Sequence, residues 1–288
     1  MKSASLLVLL AAAALAQEDN TRQLWNPEFL NKRPAAPPST STQAKPKANY
    51  KPAGPTKPSG PAGSGTMVGI TLWEIRDAKA NDAPGTRLLV IPGTGDQKEG
   101  TQERVDLAAP ITKTERYRFT FEMPTKGYLY VIDREKFADG KLGDPYIIYP
   151  TGRMRPEDNV VAPGRLLEVP DRLERPNYFV IEAKPGQVAE VLSFLVMPEP
   201  IPDLNIGRQA LRVDPERYAA WQKTTTDSPE RFVLEGGTGG TITASENKAA
   251  ADRDKKVTQA DPLPQTLYRV AGKPGAPVML EIPLTFKK

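Results

Sequence analysis

Three aspartates in one short run are the first residues here whose type and spacing suit chemistry. Asp133, Asp139 and Asp144 lie in Asp133-Arg134-Glu135-Lys136-Phe137-Ala138-Asp139-Gly140-Lys141-Leu142-Gly143-Asp144. Calcium takes about six to eight oxygen ligands, and glycine lets backbone carbonyls turn toward an ion. Calcium is the one metal this loop would suit. Yet the spacing is not that of an EF-hand, and Arg134, Lys136 and Lys141 repel a cation. The same residues make a hairpin with Asp139-Gly140 at its tip, and that reading is preferred.

A second loop, Thr151 to Asn159, carries Arg153 and Arg155. Two guanidinium forks suit a carboxylate or phosphate partner, or the neighbouring Glu157 and Asp158. Trp25 and Phe29 stand four apart, so one helical turn would bring them together. They are expected to contact a partner. Tyr117, Phe119, Tyr128, Tyr130, Tyr146, Tyr149 and Tyr178 form either a sugar-stacking face or a core with hydroxyls at its rim. Gly236-Gly237-Thr238-Gly239-Gly240 precedes a capped helix but lacks the lysine of a phosphate loop, so it is expected to be a flexible connection.

Two zeros exclude more than these motifs add. The chain has 288 residues with no cysteine and no histidine. Disulfides, thiol nucleophiles, thiolate metal sites, Ser-His-Asp triads and imidazole shuttles are all excluded. Carboxylate, Lys, Tyr or Ser chemistry stays open, but no catalytic residue and no cofactor is assigned.

The elements that must position these residues are mostly strands. Tyr117, Phe119, Phe121 and Met123 alternate with Arg116, Arg118, Thr120 and Glu122, which predicts a half-buried strand with Arg118 on a solvated face. Val278, Leu280, Ile282, Leu284 and Phe286 alternate in the same way. Gly127 to Asp133, Tyr146 to Tyr149 and Val191 to Met197 are apolar on both faces, as central strands are. Further strands are predicted at 68–76, 87–91, 165–169, 178–182, 231–235 and 266–270. Five Pro-Gly pairs, at 84-85, 92-93, 163-164, 185-186 and 274-275, punctuate them as turns. Asp214-Pro215-Glu216 opens one helix, and Thr243-Ala244-Ser245-Glu246 is a capping box for a second. The expected fold is mainly β: an antiparallel β-sandwich or partly open barrel with one or two short helices.

The N-terminal part reads differently. Lys2, the apolar run Leu6 to Ala14 and the small-x-small site Ala14-Leu15-Ala16 before Gln17 have the layout of a secretory signal peptide, cleaved between Ala16 and Gln17. A short apolar segment, 17–33, follows, and then a Pro-rich stretch, 34–66, expected to be a disordered tether. The β-rich domain spans 67–288. From Gln17 to Thr66 the net charge is +4, and from Met67 to Lys288 it is −1. The pI near 9.1 therefore belongs to the tail, and nucleic acid is not an expected partner. No later apolar run is long enough to span a bilayer.

Gly127-Tyr128-Leu129-Tyr130-Val131-Ile132-Asp133, followed by Tyr149-Pro150, Pro163-Gly164, Leu166 to Pro170 and Val191 to Met197, resembles the bacterial "domain of unknown function 4384" family. The likeness covers roughly Glu115 to Pro200, about a third of the mature chain. It implies no catalytic residues and suggests an accessory or binding role. The expectation is an exported, non-enzymatic binding module in the periplasm or extracellular space, with an envelope protein or cell-wall polymer as partner. A carbohydrate-binding or carbohydrate-active β-sandwich is the alternative. Replacing Leu7 and Leu9 by Asp should hold the precursor inside the cell, as fractionation and the mass of the N-terminal peptide would reveal; mature protein recovered outside refutes the leader.

Overall fold

The computed structural model describes residues 29–36, 49–53, 65–155, 157–223, 229–273 and 275–287. Ala16, Gln17 and Trp25 lie outside the described residues. Where apolar and polar residues alternate, the chain pairs as strands, because period two lays one face of each strand on a core. Among the described residues, two antiparallel sheets face each other as a sandwich, with two short α-helices and no closed barrel.

The first sheet holds β1 (Tyr50–Pro52), β2 (Thr66–Asp77), β3 (Arg87–Val90), β4 (Lys98–Val105), β5 (Tyr117–Glu122), β9 (Leu167–Val169), β12 (Glu230–Leu234) and β13 (Thr266–Val270). β2 is long enough to serve three neighbours. Its first half pairs with β13, its second half with β4, and its other edge takes β5. The second sheet holds β6 (Gly127–Phe137), β7 (Tyr146–Tyr149), β8 (Val160–Val161), β10 (Gln187–Met197), β11 (Leu211–Arg212) and β14 (Val278–Thr285). β10 lies between β6 and β14 at its centre.

The inward faces meet in one core. Ile70, Leu72, Phe119 and Phe121 of the first sheet pack on Leu129, Val131, Phe194 and Leu280 of the second. Phe194 stacks on Phe121 at 5.9 Å and meets Phe119 edge-on at 5.6 Å. The outer face of the second sheet is covered by helix α1 (Pro215–Gln222), which lays Tyr218 and Trp221 over Tyr130, Ile132 and Leu195. Asp214 caps this helix by accepting from the Glu216 and Arg217 amides.

The outer face of the first sheet differs from expectation. Alternation in β5 is as predicted, but its polar side is not solvated. Arg118 is 0% exposed and Glu122 2%. Arg118 meets Glu168 at 3.2 Å, and Glu168 also takes both prongs of Arg172 at 2.6 Å. Glu122 accepts both prongs of Arg33 at 2.7 Å. Burial disfavours the charged Glu168 carboxylate, yet the two guanidinium groups outweigh that and hold its pKa below the ordinary value. Burial likewise acts against charged Arg33, and Glu122 outweighs it, so its pKa rises.

Helix α2 (Ala244–Ala251) helps to close this face through polar anchors, since its own apolar stripe is only alanine. Glu246 completes the capping box with Thr243 and also pairs with Arg104 at 2.6 Å. Asn247 donates to the carbonyls of Gly85 and Arg87.

The tail is also held. Phe29, 1% exposed, and Leu30 pack with Met67, Phe232 and Leu267 under Leu263. A Cβ on Gly69 would lie 2.8 Å from the Phe29 ring and 2.5 Å from Pro264, so only glycine permits this approach. Phe29 is thus a core residue of its own domain, not a free partner contact. Tyr50–Pro52 adds an edge strand to β12, and the Tyr50 hydroxyl donates to the Pro264 carbonyl. Residues 29–33 correct the expected partner contact and residues 50–52 the expected disordered tether at those positions, because the outer face of the first sheet needs their apolar groups and Arg33 to close it.

Three smaller differences remain. Residues 178–182 form a single bridge, Phe179 to Tyr117, rather than a strand. Strand β4 was not predicted, because Lys-Glu-Gly-Thr-Gln-Glu-Arg-Val shows no apolar period. The glycine run is pinned, not loose: Gly239 donates to the Arg104 carbonyl and Gly240 accepts from its amide. Arg118→Ala should therefore destabilise by about 3–5 kcal/mol, as loss of a buried ion-pair partner does, and Leu280→Ala by about 2–5 kcal/mol. Arg155→Ala, at a largely exposed ion pair, should change stability by under about 1 kcal/mol. Urea denaturation of the three variants checks the order.

Candidate functional site

The inward stripe of β6 runs Leu129, Val131 and then Asp133, and that of β10 runs Val196, Phe194, Leu192 and then Glu190. Each stripe passes from apolar to acidic at the same end of the sandwich. Leu192 stands opposite Asp133 and Glu190 opposite Glu135, so Asp133 and Glu190 are diagonal neighbours on one face. Their carboxyls are close enough for each to shift the other's pKa.

Here the sheets leave a cavity of about 200 Å³. Phe119, Phe179 and Ile181 wall it from one side, Leu192 and Leu284 from the other, with the two carboxyls between them. Val180, 41% exposed, stands at its rim. A dry apolar cavity of about 150 Å³ accepts a benzene molecule, so this one suits a ligand of that size or slightly larger.

Burial and the neighbouring carboxylates Glu190 and Glu135 push Asp133 up to about 8. Burial raises Glu190 as well, although Gln187 donates to its Oε1 at 2.7 Å. The pair therefore retains a proton at neutral pH. Asp133 Oδ1 and Glu190 Oε2 are buried and receive no N–H donor from the described residues. Glu135 is engaged by Lys184. Arg134 turns to the opposite face, donating to the Gly143 carbonyl and lying 5.0 Å from the Tyr218 ring. The Tyr117 hydroxyl is committed to Glu115 at 2.6 Å. Carboxyls in direct contact leave no space for a glycosidic bond between them, which needs about 5 Å or more. The arrangement can hold a ligand, and no positioned nucleophile–base couple accompanies it.

The other candidates fall elsewhere. The three aspartates do not converge: Asp139 pairs with Lys141 at 2.9 Å, Asp144 with Arg212 at 2.8 Å, and Asp133 faces the cavity. Among the described residues no group of three or more acids could hold a metal. This corrects the calcium expectation, since the loop is the hairpin with Gly140 at φ 86°. Arg155 meets Asp158 at 3.4 Å and Arg153 meets Glu174 at 3.8 Å, so both are directed at acids of their own chain. Beside them, Arg165, Arg172 and Arg253 share a cleft of about 150 Å³ with Asp158, Glu168 and Asp171, which neutralise most of its charge. The aromatics make no common platform: Tyr117, Phe119 and Tyr149 lie in the inter-sheet core, Tyr130 packs under α1, and Tyr146 is exposed.

Sequence reasoning read Asp133 as a loop ligand and missed Glu190. The available signal was the acid ending each apolar stripe. In comparisons with known proteins, no family model, no curated protein and no solved structure matches this chain.

Because Asp133 binds its proton more tightly in the fold than in the unfolded chain, where an aspartate titrates near 3.9, its contribution to stability falls as pH rises from about 4 to about 8. Asp133→Asn removes that penalty. Its melting temperature relative to the native chain should climb steadily between pH 4.5 and 8.5, and a constant offset in thermal melts would refute the shared proton.

Proposed function

We propose that this chain is an exported, non-enzymatic binding module of the cell envelope or extracellular space, and that the cavity between its sheets receives a small, mostly apolar molecule. One observation carries the binding role: a mostly apolar cavity whose wall ends in the Asp133–Glu190 carboxyl pair. Sites of this kind are largely apolar, with a few polar groups that set orientation.

Export is supported by the leader-like residues 1–16. No helix among the described residues is long and apolar enough to cross a membrane. The resemblance to the domain of unknown function 4384 family, over 115–200, belongs to the same proposal and adds the accessory role.

A screen of small aromatic and alicyclic compounds by thermal shift tests the cavity, because a ligand that binds only the folded state raises its melting temperature. Compounds that stabilise the native protein should lose that effect in Val180→Trp, which fills the cavity from its exposed rim. Equal shifts in both proteins would place binding elsewhere and refute the proposal.

A further inference from the structure

From the same cavity, and resting on its reading as the binding site, we infer that the ligand's head is a cation: a primary ammonium carried on a compact apolar body.

The cavity's lining is apolar apart from Asp133, Glu190 and the Tyr117 phenol. Two carboxyl oxygens, Asp133 Oδ1 and Glu190 Oε2, are buried there with no N–H donor from the described residues. A buried acceptor without a donor is unfavourable by roughly 1–3 kcal/mol, and more when charged. Burying it is tolerable here only through the shared proton. An ammonium brings three donors and a positive charge to the same place.

Charge balance points the same way. The groups around the pair are Glu135 on β6, Lys184 on the preceding loop, Gln187 on β10 and Tyr117 on β5. Lys184 is committed to Glu135, and Tyr117 donates to Glu115. Arg134, the remaining cation of β6 near this point, lies on the opposite face over Tyr218. From β14 and the segment beside it come only Leu284 and Ile111. Lys113, Lys136 and Lys287 line a separate groove with Phe286. The cavity thus presents acid without a committed counter-cation.

The apolar lining also decides which cation. Calcium or magnesium needs about six or more oxygens, and here two carboxyls face hydrocarbon. A monovalent ammonium needs only its three donors satisfied, and its hydrocarbon body fills the rest of the space. An anionic head would meet like charge. A neutral alcohol would leave the pair's proton in place. When the ammonium enters, the proton held between Asp133 and Glu190 leaves to the buffer, and the pair becomes doubly charged against the bound cation. Burial has already raised both carboxyls, so that proton is present for release at neutral pH.

Three isosteres test this on the mature full-length protein: 2-phenylethylamine, 2-phenylethanol and 3-phenylpropionate. Isothermal titration at pH 7, in two buffers of different ionisation enthalpy, reads affinity and proton release together. The amine should bind at least about tenfold more tightly than the alcohol, with the propionate weakest. Amine binding should release between half a proton and one proton, and alcohol binding none. Asp133→Asn and Glu190→Gln should each lose the preference for the amine over the alcohol. Alcohol binding equal to the amine, or amine binding without proton release, overturns the cationic head and leaves the cavity reading standing. Amine binding unchanged in Val180→Trp, or no binding of any of the three, overturns both. The buffer comparison on the native chain decides the matter even if a variant fails to fold.

Discussion

The structure depends on how charge is buried on the outer face of the first sheet. A strand whose polar side reads Arg118, Thr120 and Glu122 would ordinarily present that side to water. Here water is replaced by protein, and each charge is met by another: Arg118 and Arg172 by Glu168, Glu122 by Arg33, and Arg104 by Glu246. Removing a charge from water is unfavourable, so such a layer persists only when geometry and hydrogen bonding are satisfied together. The pairs come from distant points in the chain. Arg33 is 89 residues from Glu122, and Arg104 is 142 residues from Glu246. The layer therefore ties the tail, β4, β5, the loop after β9 and α2 to one another.

That constraint accounts for parts of the fold with little apolar content of their own. α2 buries mainly Ala249 among its apolar residues, yet it is seated by Glu246 and Asn247. β4 has Val105 as its one apolar side chain, yet Gln102 and Arg104 are buried on this face. Residues 29–33 bring an aromatic, a leucine and one arginine, enough to close the last opening over Gly69. Arg33 also donates to the carbonyls of Thr258, Asp261 and Pro262, so one side chain ties that internally bonded loop to the tail. The opposite sheet uses the simpler device, an amphipathic helix with Tyr218 and Trp221 on its inner face.

The cavity between the sheets follows from a second departure from ordinary patterning. Apolar stripes on β6 and β10 are interrupted at Asp133 and Glu190, where continued leucine or valine would have filled the end of the core. Burial raises both carboxyls there, and the charge of Glu190 raises Asp133 further, so the site retains a proton and remains polar without holding two full charges. Such local disagreements between pattern and burial tend to mark function, because stability alone would favour an apolar core.

Some of this was determined by the amino-acid order alone. Period-two alternation placed β5 and β14, and the continuous apolar runs placed β6, β7 and β10, because side-chain direction along a strand is a local property. Asp214 and Thr243 set both helix starts for the same reason, since a cap satisfies amides only two or three residues away. Gly140 marked the hairpin tip, because few other residues adopt its positive φ. What tertiary structure decided was which polar faces would be covered and which acids would meet. Arg118 reads as solvated until Glu168, Arg172 and the loops above it are in place. Phe29 reads as a partner contact, and Tyr50 as part of a tether, until the first sheet offers them a surface. Asp133 and Glu190 are 57 residues apart in the chain, and only the β6–β10 register brings them to one face. Burial and pairing depend on groups remote in sequence, and a local pattern carries no record of them.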